Sequence, residues 1–115
     1  MEQFDIPIFK QTCKLYKFFH EHRNNLSKQD RYTLWQRCEN LVLEVLENIL
    51  WASYLPKNKK LPVLEKTSIR LNLLRALVRL CKEVKAIDNR KYILLQEIVD
   101  EIGRMLGGWI KSTKD

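Results

Sequence analysis

The amino-acid sequence predicts an all-α protein, an up-down-up-down antiparallel four-helix bundle, as one domain over residues 1–115. Three observations lead there. The three prolines fall at the edges of long segments, and between them the chain lacks strong breakers until its three glycines near the C-terminus. Within those segments apolar residues recur at intervals of three and four, the period of a helix face. No run alternates apolar and polar residues between turn signals, as a half-buried strand does. Helices of roughly 20–27 residues joined by short turns pack antiparallel.

The first helix opens at Asp5 and Pro7 and runs to about Asn24, proline being well suited to a first turn. "NNLSKQDR" is the next turn, where Ser27 followed by Asp30 resembles a capping box. The second helix continues to about Tyr54, and Trp35, Cys38, Val42, Val45 and Ile49 form its core stripe. "LPKNKKLP", Leu55 to Pro62, reads as a loop, with Pro62 starting a third helix that lasts to about Lys85. Asp88 caps a fourth helix towards Ser112, with Leu95, Val99, Ile102, Leu106 and Trp109 along its core side. The aromatics on these stripes read as packing rather than as a ligand box.

The third helix is the unusual one. Leu71, Leu74, Val78 and Cys81 make one stripe, and Ile69, Leu73, Leu77, Leu80 and Val84 make a second beside it. Together they cover an arc wider than one bundle core needs. Surplus apolar surface on a small bundle predicts an oligomer, the alternative being a helix inserted deeply in a monomer; Leu73, Leu77 and Leu80 then serve the oligomer interface or helix packing.

Net charge is +7, and its placement is informative. Residues 55–86 hold nine bases against Glu65 and Glu83 alone, so this segment supplies the whole excess. Charge localised in this way points to a polyanionic partner. Arg75, Arg79 and Lys82 form a stripe on helix three, and the four-residue arginine spacing offers two forks to successive phosphates or carboxylates. Lys10, Lys14 and Lys17 form a second stripe on helix one, and Lys57, Lys59 and Lys60 extend the field. Phosphate contacts of this kind predict salt-dependent, largely sequence-independent binding.

Other chemistry is absent from the sequence. His20 and His22 stand two apart and face different ways, unlike helical metal ligands. No P-loop, GxSxG or Cys/His signature occurs, so catalytic, metal and cofactor residues are not expected. Cys13, Cys38 and Cys81 are odd in number and contain no CxxC, which reads as reduced thiols in a cytoplasmic protein. The most apolar stretch, "LVLEVLENILWASYL", is broken by Glu44, Glu47 and Asn48, so no membrane span is expected. "MEQFDIPIF" lacks the pattern of a secretory leader.

The remaining puzzle is "EIGRMLGGWI", which holds every glycine of the chain, each costing roughly 1 kcal/mol relative to alanine inside a helix. Gly103 and Gly107 share a face on which another helix can approach closely. Gly108 sets bare backbone beside Trp109, in the core or at a subunit contact.

These residues carry a resemblance. "LLRALVRL" on the third helix followed by "EIGRMLGGWI" on the fourth resembles Avd, the accessory variability determinant family of diversity-generating retroelements. Its C-terminal hallmark looks like E-[VI]-G-R-x-L-G-x-W-I, matched by Glu101, Ile102, Gly103, Arg104, Leu106, Gly107, Trp109 and Ile110. The resemblance implies a non-catalytic four-helix protomer in a basic homopentamer. It implies association with the element's reverse transcriptase and with template RNA or DNA, in a bacterial or phage setting. Arg104 then joins Arg75 and Arg79 as an expected contact, with Lys82, Lys14 and Lys17 behind them. A sibling family, encoded in intervening sequences of 23S ribosomal RNA genes, also resembles the chain at "EIGRML". It typically carries an A-R-G-S-like stretch in the third helix, which is missing here, and lacks the G-x-W ending. A third reading is an oligomeric scaffold that binds acidic proteins only.

Overall fold

The computed structural model describes residues 5–115. Residues 1–4, part of the N-terminal stretch read for a leader, lie outside the described residues. Four long helices account for nearly all of it. Helix α1 is Pro7–His22. Helix α2 is continuous over residues 28–54, as an α turn Lys28–Asp30, a π turn Arg31–Trp35 and an α stretch Gln36–Tyr54. Helix α3 is Lys57–Glu83 and helix α4 is Asn89–Lys114.

The helices form a ring in which α1 and α3 each pack against both α2 and α4. Cross-helix pairs fix the antiparallel sense: Lys60 reaches Ala52 and Arg70 reaches Glu44, so α3 ascends as α2 descends. On the other side Arg75 meets Asp100 and Lys82 meets Tyr92. The result is an up-down-up-down bundle, 44 × 23 × 21 Å.

Local chemistry explains most boundaries. Pro7 occupies the first turn of α1. At the end of α1, the Arg23 N–H bonds the His20 carbonyl as the chain tightens into the 3₁₀ turn Arg23–Asn25. The Phe19 carbonyl is met by the Trp35 indole, which donates to it at 3.0 Å. A helix-end carbonyl that would otherwise be orphaned is thereby satisfied. The Trp35 ring also packs against Phe19, centroids 4.4 Å apart, and is fully buried. Ser27 caps α2 by accepting from the Asp30 N–H, as expected, and Asp88 caps α4 by accepting from the Lys91 N–H at 2.8 Å.

One boundary differs from expectation. The predicted loop Leu55–Pro62 is helical from Lys57, with Pro56 as the N-cap and Pro62 inside the helix. Proline there removes one bond, the one its N–H would have made to the Asn58 carbonyl, and Asn58 is exposed and can be hydrated. The early turns are retained because Val63 and Leu64 bury their side chains and Lys60 bonds the end of α2. Lys57, Lys59 and Lys60 therefore lie on the first turns of a helix, not in a loop.

The predicted core stripes of α2 and α4 are buried, except that Trp109 is only half-buried. The two stripes of α3 separate, with the exception of Leu77. Leu71, Leu74, Val78 and Cys81 are at most 1 % exposed, whereas Ile69, Leu73, Leu80 and Val84 are 69, 41, 42 and 52 % exposed. Leu77 lies between, partly buried against the core. One row thus fills the bundle and the other faces outward.

Candidate polyanion interface

The segment richest in charge folds into α3, and three of its bases, Arg75, Arg79 and Lys82, occupy the flank that faces α4. Arg75, Ala76 and Arg79 from α3, with Tyr92, Ile93, Gln96 and Asp100 from α4, line an open groove of about 570 Å³. Lys82 completes the row, its ammonium 4.5 Å from the centre of the Tyr92 ring. This cation–π contact steers a flexible side chain along the groove, and no acid among the described residues pairs with its charge.

The three bases are not equally available. Arg79 is 73 % exposed, and its only ion pair among the described residues is the helical one with Glu83 at 3.1 Å, a surface contact worth a few tenths of a kcal/mol. Arg75 is 34 % exposed and anchored: it donates to the Asn72 side chain at 2.7 Å and to Asp100 at 3.3 Å. Its guanidinium lies directly over Gly103, where an added Cβ would overlap it. Arg104 stands 71 % exposed one turn further along α4, gripped side-on by Glu101. That guanidinium holds the Glu101 carboxyl below the ordinary carboxylate range and is itself held more firmly protonated.

Lys14 and Lys17 do not join this groove. With Lys10, Phe18, Glu21 and Ile98 they line a smaller depression of about 360 Å³ between α1 and the opposite flank of α4. The predicted contacts are thus distributed over separate faces of one protomer.

The glycines also separate. Among the described residues of the protomer, no helix backbone comes close to the face shared by Gly103 and Gly107. Gly103 makes room for the Arg75 guanidinium rather than for a backbone. Gly107 and Gly108 are exposed, and a Cβ on either would meet nothing within 4 Å. Gly107 thus sets bare backbone outward, and Gly108 does so at the edge of a cavity at the end of the bundle.

Sequence reasoning overlooked the end of the bundle where α1 and α3 begin and α2 and α4 end. There Ile6, Pro7 and Ile8, Ser53 and Lys60, and Arg104, Met105, Gly108 and Trp109 line a cavity of about 620 Å³. The Lys60 ammonium sits 5.6 Å from the Trp109 ring centre and donates to the Ala52 carbonyl at 2.6 Å. Its partial burial holds its pKa below the ordinary 10.5 of lysine. The sequence signals were Lys57, Lys59 and Lys60 as a cluster and Trp109 as an aromatic. Nothing in periodicity says that segments 49 residues apart meet here.

Elsewhere polar groups serve the fold. His22 packs on Phe18, ring centres 4.2 Å apart, and bonds its carbonyl. The nearly buried Glu39 is paired with Arg23. Cys38 and Cys81 are both fully buried, and the Cys38 thiol is pushed up by its hydrogen bond with Cys81 and by burial. No helix among the described residues is long and apolar enough to cross a membrane.

A comparison with curated proteins finds no match. A family model described as bAvd-like matches residues 7–113, from the first turn of α1 to the last turn of α4. The match takes in the α3 arginines and the whole of "EIGRMLGGWI", and the chain belongs to the bAvd-like family.

Proposed function

We propose that this protein is the non-catalytic accessory subunit of a diversity-generating retroelement, binding the element's reverse transcriptase and its template RNA or DNA. The observation that carries the reading is the charge: nine bases against two acids in residues 55–86, with Arg75, Arg79 and Lys82 along one groove. Membership of the bAvd-like family supports an Avd-type accessory role over the ribosomal intervening-sequence reading. The outward row Ile69, Leu73, Leu80 and Val84 supports self-association, which the resemblance makes a pentamer. Assembly would repeat the α3–α4 groove around a common axis and multiply weak phosphate contacts into strong binding.

Arg79 and Lys82 are the residues to test, because Arg75 is tied into the protomer and its loss confuses folding with binding. Immobilised protein should retain a reverse transcriptase of the diversity-generating class. The Arg79→Glu/Lys82→Glu variant should retain at least ten-fold less, with an unchanged thermal melt. Equal retention by the two proteins refutes the assignment of this groove.

A further inference from the structure

We propose that the cavity at the end of the bundle binds an unstacked nucleobase together with its phosphate, taken from a single-stranded stretch of nucleic acid. The inference rests on the nucleic-acid reading above but concerns a different place, away from the α3–α4 groove. The lining residues divide by chemistry. Ile6, Ile8, Met105 and the half-buried Trp109 give an apolar interior with an aromatic face, while Lys60 and Arg104 supply two cations. A bare phosphate would not need the indole, and an aliphatic group would not need the cations. A nucleotide uses both, since every base offers a π face to stack on and a phosphate one sugar away. The volume of about 620 Å³ lies within the roughly 300–1,000 Å³ of small-ligand clefts.

Each cation retains capacity for a further acceptor. Lys60 gives one of its three N–H donors to Ala52, and Arg104 meets Glu101 through Nε and Nη2, which leaves the Nη1 side of its fork. The surrounding charge agrees. Lys57, Lys59 and Lys60 stand on the first turns of α3, which contain no acid, although a helix N-terminus disfavours cations. Their placement costs local stability and raises the positive potential at the cavity mouth. Trp51 and Tyr54, 53 and 65 % exposed at the end of α2, add aromatic surface for neighbouring bases. Gly108 lines the cavity, and a side chain there would project into open space. Glycine at this helical position therefore keeps the cavity open rather than relieving a clash.

The test compares three labelled 12-nucleotide probes by fluorescence anisotropy: a single strand, a single strand with abasic sites throughout, and a duplex. Wild-type protein should bind the base-bearing strand roughly ten-fold more tightly than the abasic strand of equal charge. Gly108→Leu, which fills the cavity, should erase that preference and leave abasic and duplex affinities unchanged. An independent readout uses Trp51→Phe protein, in which Trp109 is the one indole not fully buried. Its fluorescence should be quenched by the base-bearing strand and not by the abasic one. A preference absent from wild type, or persisting in Gly108→Leu with no quenching of Trp109, overturns the pocket while salt-dependent binding of all three probes preserves the general reading. Failure of wild type to bind any probe overturns both.

Discussion

Lys85 adopts φ 63°, the only non-glycine residue among those described with positive φ. It ends α3: the Ala86 N–H bonds the Cys81 carbonyl at 2.8 Å and the Lys85 N–H bonds the Lys82 carbonyl at 3.0 Å. This is the paired 6→1 and 5→2 closure that usually places glycine in the left-handed position. A side chain there costs on the order of 1 kcal/mol. Lys85→Gly should therefore raise the unfolding free energy by about 1 kcal/mol in urea titration; no change or a loss contradicts the cap geometry. The sequence could not announce this cap, because the residue that normally marks it is absent. The converse holds at Gly103, Gly107 and Gly108, where glycines sit in ordinary helix and none has positive φ. Their spacing was legible and their use was not, since one is needed only because a distant arginine folds over it.

Among the elements, α3 carries the two properties that distinguish this bundle. Its inner row was recognisable from the three-and-four spacing, and so was the surplus outer row, because a 3.6-residue period sorts side chains without reference to neighbours. Its beginning lies earlier than the sequence predicts, because Pro62 carries the local signal of a first-turn proline. Burial of Val63 and Leu64 and the bond from Lys60 to α2 are tertiary effects that override that local signal. The π turn Arg31–Trp35 in α2 was illegible for the same reason, its Trp35 being placed by Phe19 of another helix. The exposed row on α3 leads to a prediction at this scale. Wild-type protein should sediment as an assembly, and Leu73→Glu/Leu80→Glu should sediment as a 13.8 kDa monomer of unchanged helicity. Both side chains are about 40 % exposed, so the protomer itself tolerates the substitution. A monomeric wild type, or an assembly indifferent to both charges, contradicts the interface.

For the whole molecule, the sequence was most informative about what is periodic and least about what is assembled from distant segments. Four helices, their order and the core rows followed from spacing and caps. The grouping of cations into an α3–α4 groove, an α1–α4 depression and an end cavity follows only from how the ring of helices closes. That grouping sorts the surface by chemistry: the outer face of α3 is apolar, its flank is basic, and the bundle end combines cations with aromatics. On the proposed function the α3 flank meets phosphates. Its most direct test is the affinity for a labelled template RNA measured against salt concentration, for wild type and for Arg79→Glu/Lys82→Glu. Each lost phosphate contact should flatten the log–log salt slope by about 0.7–0.9 units. The variant should therefore bind more weakly with a slope shallower by at least one unit, more if assembly repeats the groove. An identical slope and affinity in the variant would contradict the account.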